Sequence, residues 1–136
     1  MTEIRRVLVV DGDESARKGL ARLLRVAGYD VCEFSTATEF LNRLEPDATG
    51  CVVLDPSVPG LSCEDLQTEY QARQADLPII CLSADDEWAN RRMAEEMEAA
   101  AFFRKPVDGT ALLDAIAWAL RSQSVPGSKS QHGGSR

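Results

Sequence analysis

Residues 51–60 read CVVLDPSVPG: four apolar residues in a row, an aspartate, then a short segment holding two prolines and a glycine. A strand that is covered on both faces has no polar alternation, so a run of this kind predicts the central strand of a parallel sheet. Proline and glycine stop the strand at once and hold the Asp55 carboxylate on a stiff loop. Three other short apolar runs end the same way: VLVV at 7–10 leads into Asp11, IICL at 79–82 into Ser83, and FFR at 102–104 into Lys105-Pro106. Parallel sheets with helical crossovers gather the carboxyl ends of their strands along one edge, where ligands bind. The four polar residues are therefore expected to meet in one crevice.

Between the runs the apolar period changes from 2 to 3.6. Strands are expected at 4–10, 29–34, 51–54, 78–82 and 101–104. Helices are expected at 15–27, 36–44, 61–72, 87–97 and 110–121. In the first helix Ala16, Leu20, Leu23, Leu24 and Ala27 share one face, and Gly28 ends it. Pro46 ends the second. Each crossover is long enough for a right-handed βαβ unit. The expected architecture is a three-layer α/β domain with a doubly wound, five-stranded parallel sheet, a flavodoxin-like (βα)5 arrangement. Residues 1–121 would form the domain, and 122–136 a disordered tail or linker, since SQSVPGSKSQHGGSR has no periodicity and no core residues.

A chain of 136 residues supports one core. The net charge of -7 argues against nucleic-acid contact by this segment. All 22 acidic side chains precede residue 121, leaving the tail mildly basic. No apolar stretch approaches the roughly 20 residues that cross a bilayer, and the N-terminus lacks a signal-peptide layout, so no membrane contact and a cytoplasmic setting are expected. Cys32, Cys51, Cys63 and Cys81 have no C-x-x-C spacing, which argues against zinc. Cys32, Cys51 and Cys81 lie in strand-like segments and read as small buried hydrophobes.

Chemically, an aspartate fixed at the end of a central strand can act as a nucleophile toward phosphorus. Asp11 and Asp13 offer hard oxygen ligands for Mg²⁺. Lys105 supplies a mobile positive charge for phosphate, and the Ser83 hydroxyl a donor. Each also has a plainer reading: Asp13 precedes a helix, where acids are favoured by the macrodipole, and Ser83 precedes Asp85-Asp86-Glu87 at a helix start. The Arg91-Arg92 and Glu95-Glu96 cluster has the spacing of a solvated helix face. Trp88 and Trp118 would serve either as partner anchors or as core.

With Asp11, Asp55, Ser83-Ala84 and Lys105-Pro106 in this order, and with 28 and 50 residues separating Asp55 from Ser83 and Lys105, the chain resembles a response-regulator receiver domain of the CheY-like superfamily over residues 4–121. The resemblance implies that Asp55 accepts phosphate from a histidine kinase or phosphotransfer protein. It implies a Mg²⁺ shell made of Asp11, Asp13, Asp55 and the backbone carbonyl of Ser57. Ser83 and Phe102 would be the switch pair, and the Lys105-Pro106 bond would be cis. A downstream effector or output domain would read the face built from the fourth helix, fifth strand and fifth helix, and a homodimer through that face is also expected. Such a chain signals; it is not an enzyme beyond self-phosphorylation from a phosphodonor and slow autodephosphorylation.

Three departures stand out. Gly12 occupies the place of the family's second acid; Asp13 is expected to substitute for it, with Gly12 allowing an unusual turn, and Mg²⁺ binding is otherwise expected to weaken. Pro56 removes a backbone donor beside Asp55. Cys63 replaces a glycine in the loop toward the third helix. These keep open a degenerate receiver that binds partners without phosphorylation. A third reading, a haloacid-dehalogenase-type phosphatase using the D-G-D segment, leaves Asp55 unexplained and lacks both a cap and a later acidic pair.

Overall fold

The computed structural model describes residues 5–84 and 88–124, with side chains over 5–84 and 91–122. These form ten alternating elements: β1 (Arg6–Val10), α1 (Glu14–Val26), β2 (Asp30–Phe34), α2 (Ala37–Asn42), β3 (Cys51–Leu54), α3 (Cys63–Ala72), β4 (Ile79–Ser83), α4 (Trp88–Glu96), β5 (Ala101–Arg104) and α5 (Gly109–Ser124). The strands make one parallel sheet in the order β2-β1-β3-β4-β5. Because β1 lies between β2 and β3, the winding direction reverses there, and a crevice opens beyond the carboxyl ends of β1 and β3.

The period of 2 sorts the strand residues onto two faces. Leu8, Val10, Val52, Leu54, Ile79 and Cys81 pack with Phe40, Leu66 and Met93, under α2, α3 and α4. Val7, Val9, Cys51, Val53, Ile80 and Leu82 pack with Leu24, Leu112 and Ile116, under α1 and α5. Every residue of β3 and β4 is buried, as expected of strands with neighbours on both edges. Cys51 and Cys81 are accordingly in the core, whereas Cys32 is only half-buried. It sits on β2, which ends the sheet and is mostly only partly buried.

The elements differ from the sequence expectations mainly at their ends, where side chains cap the helices. Asp13 is the N-cap of α1, Thr36 of α2 and Ser62 of α3; each accepts from backbone N–H groups of the first turn. At its other end α2 stops at Asn42, two residues short of Leu44, which stays buried without being helical. β1 begins at Arg6, and Ile4 lies outside the described residues. Ser83 is the last residue of β4, not the start of a loop. α5 runs to Ser124, so residues 122–124 extend the helix in place of the tail expected there. The Ser122 hydroxyl donates to the Trp118 carbonyl, and no breaker intervenes before Pro126. The rest of the expected tail, the acidic run Asp85-Asp86-Glu87 and the Trp88 side chain lie outside what is described. No helix among the described residues is long and apolar enough to cross a membrane.

Candidate functional site

Asp11 and Asp55 follow β1 and β3, and both are almost fully buried, at 3% and 7% exposure. The backbone sets them there: Asp11 N–H donates to Phe34 O, and Asp55 N–H donates to Val10 O, continuing the ladder one step beyond each strand. Lys105, one residue past β5, crosses the crevice. Its Nζ donates to Asp11 Oδ2 at 2.7 Å and to Asp55 Oδ2 at 2.8 Å. Burial by itself would lower the lysine's pKa, but the hydrogen bonds and charges of the two carboxylates outweigh it and hold the ammonium above its usual range.

The other carboxylate oxygens are engaged as well. Asp55 Oδ1 accepts from Ser57 N–H at 2.8 Å and from the Ser57 hydroxyl at 2.7 Å. The donor that Pro56 lacks is thus made up one residue later. Asp11 Oδ1 accepts from Asp13 N–H at 2.9 Å. Cys63, at the start of α3, donates its thiol to the Pro56 carbonyl at 3.2 Å and ties that helix to the Asp55 loop.

Asp13 does not take the place of the second acid as the sequence suggests. Its Oδ1 accepts from Ser15 and Ala16 N–H groups at 3.0 and 3.4 Å, which spends it on the α1 cap. Nor is Gly12 a residue of positive φ, so no left-handed turn explains it. What demands glycine is space: a Cβ at position 12 would overlap Pro59 Cδ and lie 3.1 Å from Cγ. Among the described residues, no three or more His, Cys, Asp or Glu side chains converge to hold a metal ion.

Ser83 is 1% exposed at the end of β4, and its carbonyl accepts from Lys105 N–H at 2.8 Å. The Lys105-Pro106 bond is cis. Phe102 pairs in register with Cys81 and is half-buried, with the Arg91 guanidinium 4.8 Å from its ring centroid. Arg91, Ala94, Glu95, Ala99, Ala101 and Phe102 line a groove of about 120 Å³ between α4 and β5. Trp118, on α5, is 58% exposed and is not core.

Two contributors had no signal in the sequence. Arg17 of α1 donates from Nη1 to the Asp11 carbonyl at 3.0 Å and from Nε to Glu33 of β2 at 3.2 Å, bracing the β1–α1 connection. Its partners lie on other elements, so helix periodicity does not reveal it. The Ser57 hydroxyl is the second, because its approach to Asp55 depends on how the loop after β3 turns.

The model of the response regulator receiver domain matches residues 7–117. Nodulation protein W of Bradyrhizobium diazoefficiens is 38% identical over 110 residues, which is 81% of this chain and 48% of that protein. Transcriptional regulatory protein FixJ of Azorhizobium caulinodans is 32% identical over 127 residues, 93% of this chain and 60% of that protein. The crystal structure of full-length FixJ from B. japonicum superposes with a TM-score of 0.82 at 32% identity, covering 96% of this chain and 64% of that one. The chain thus spans about half to three-fifths of the length of these curated relatives. By sequence match, sheet order and structural likeness, it belongs to the response-regulator receiver domains, the phosphoacceptor modules of two-component signalling.

Proposed function

We propose that Asp55 is the phosphoacceptor, taking a phosphoryl group from a histidine kinase or a phosphotransfer protein. The observation that carries this is the Lys105 ammonium placed on the Asp55 carboxylate at the mouth of the crevice. In the transfer, an Asp55 oxygen forms the new bond to phosphorus while the bond from phosphorus to the donor's imidazole nitrogen breaks. The donor's imidazole, already protonated on its other ring nitrogen, leaves as the neutral ring. Lys105 then follows the charge onto the phosphoryl oxygens, which accept from it as the carboxylate did. The hydroxyl and N–H of Ser57 already converge on Asp55 Oδ1 and orient the carboxylate for attack.

Receiver domains generally bind Mg²⁺ at the acidic phosphorylation site, where the ion neutralises the incoming group. The ligands this chain offers are Asp11, Asp55 and the Ser57 backbone carbonyl. Asp13 Oδ1 caps α1 by accepting from the Ser15 and Ala16 N–H groups.

After transfer, the Ser83 hydroxyl donates to a phosphoryl oxygen and Phe102 turns inward, breaking its contact with Arg91 and reshaping the α4–β5–α5 face. That face, with the exposed Trp118, is where an effector, an output domain or a second copy would read the state. The receiver domain, through the end of α5 at Ser124, acts as the signalling unit in the cytoplasm, with the chain beyond it as tail or linker. Incubation with acetyl phosphate and Mg²⁺, followed by intact mass measurement, is expected to show one added phosphoryl group that Asp55→Asn abolishes. Absence of that adduct, together with no beryllofluoride binding, would favour a receiver that binds partners without phosphorylation.

A further inference from the structure

The donor set around Asp55 does not fit a tightly held divalent cation. We infer that Lys105 is the resident cation of this site, with Gly12 and Pro59 together closing the position through which another carboxylate would enter. This rests on the reading of Asp55 as phosphoacceptor and concerns how its charge is managed.

Three observations converge. The site holds two carboxylates, and one ammonium binds an oxygen of each at 2.7 and 2.8 Å. Mg²⁺ demands near-octahedral oxygen geometry at about 2.0–2.1 Å. To reach both Asp11 Oδ2 and Asp55 Oδ2 it must displace Lys105, or sit beside it against like charge. The remaining oxygen of each carboxylate already accepts from backbone or hydroxyl donors of Asp13 and Ser57.

Asp13, the nearest further acid in the chain, is turned away into the cap of α1. One of its oxygens, Oδ1, is held there by the Ser15 and Ala16 N–H groups. A carboxylate restored at position 12 meets the Pro59 ring, whose Cδ a Cβ would overlap. Pro59 is held in turn, since its carbonyl accepts from Ala37 N–H at the start of α2. The glycine and the proline therefore behave as a pair, and changing one without the other forces the loop to move.

The test is a titration with Mg²⁺ alone, followed by NMR of the Asp13 and Ser57 amides, the two N–H groups that donate to the site's carboxylates. For the wild-type chain, half-saturation is expected above about 5 mM, the behaviour of two carboxylates already paired with a cation; a midpoint at or below about 5 mM overturns the inference. Lys105→Ala frees both carboxylates and is expected to tighten Mg²⁺ by about tenfold, and unchanged or weaker binding in that variant counts against a resident ammonium. Gly12→Asp with Pro59→Ala should bind Mg²⁺ more tightly than Gly12→Asp alone. Equal affinity of the two would remove the pairing of positions 12 and 59. Folding of each variant is checked in the same spectra.

Acetyl phosphate labelling separates this inference from the reading beneath it. Labelling of Asp55 that persists in EDTA supports Lys105 as the working cation. Labelling abolished by EDTA overturns that role and leaves Asp55 the phosphoacceptor. Absence of labelling under every condition overturns the phosphoacceptor reading, while the Mg²⁺ midpoint still decides the state of the site.

Discussion

Lys105 Nζ lies 2.8 Å from Asp55 Oδ2, joining the ends of β5 and β3 across 50 residues of chain. Against the lowering effect of burial, Asp11 and Asp55 together hold the lysine's pKa above its ordinary value. A group whose folded pKa is raised contributes stability that is complete below its unfolded value, about 10.4 for lysine, and lost as pH rises through the folded value. The stability difference between wild type and Lys105→Met is therefore expected to stay level from neutral pH to about 10 and to shrink above it. Urea midpoints of both proteins over this range measure it, and a difference that grows with alkalinity contradicts it.

Tyr70 closes α3 onto the chain entering β4. Its hydroxyl donates to the Leu77 carbonyl at 3.2 Å and accepts from the Leu77 N–H at 3.1 Å, in a buried setting. Tyr70→Phe keeps the ring and strands two backbone groups, so a loss of about 1–3 kcal/mol is expected in urea denaturation. A loss smaller than the scatter of replicate melts would mean that water reaches Leu77.

Arg17 braces Asp11 from behind. Its side chain and that of Glu33 are 12% and 20% exposed, and the same guanidinium reaches the Asp11 carbonyl. Removing it leaves a partly buried carboxylate and a carbonyl with weaker partners, so Arg17→Ala is expected to cost about 1–3 kcal/mol and to slow phosphorylation of Asp55. Lys18, 60% exposed and 3.8 Å from the same glutamate, is the control: Lys18→Ala is expected within about 0.5 kcal/mol of wild type. Paired melts and labelling time courses compare the two.

Burial raises the thiols of Cys51 and Cys81 to about 12, with the charge of Asp55 adding to the effect at Cys81. The thiolate is the reactive form, so iodoacetamide at about pH 8 is expected to leave both untouched in the folded protein. Cys32 and Cys63, which are half-buried, carry whatever modification occurs. Peptide mapping before and after unfolding in guanidinium should show Cys51 and Cys81 reacting only in the unfolded chain.

The sequence was most legible where a residue's environment depends on its neighbours in the chain. CVVL and IICL announced strands buried on both faces, and β3 and β4 are buried throughout. Helix ends were less legible, because Thr36 and Ser62 read as members of a helix until their side chains are seen capping it. Cys32 shows a similar limit. Its segment resembles the other strands in composition, and only the order of strands makes β2 an edge.

The site divides along the same line. Asp11, Asp55, Ser83 and Lys105 could be placed at strand ends from the apolar runs before them, since a parallel sheet brings those ends to one edge whatever the details of packing. Of these, Asp11, Asp55 and Lys105 do meet side chain to side chain, as the strand ends alone foretold. Only the tertiary structure decided how they pair: that Lys105 spans both aspartates, that Arg17 reaches Asp11 and Glu33, that Asp13 turns into a cap, and that Pro59 fills the space above Gly12. Periodicity records which face a side chain takes. The contacts between faces depend on distances of a few ångströms between segments far apart in the chain, and no local pattern encodes them.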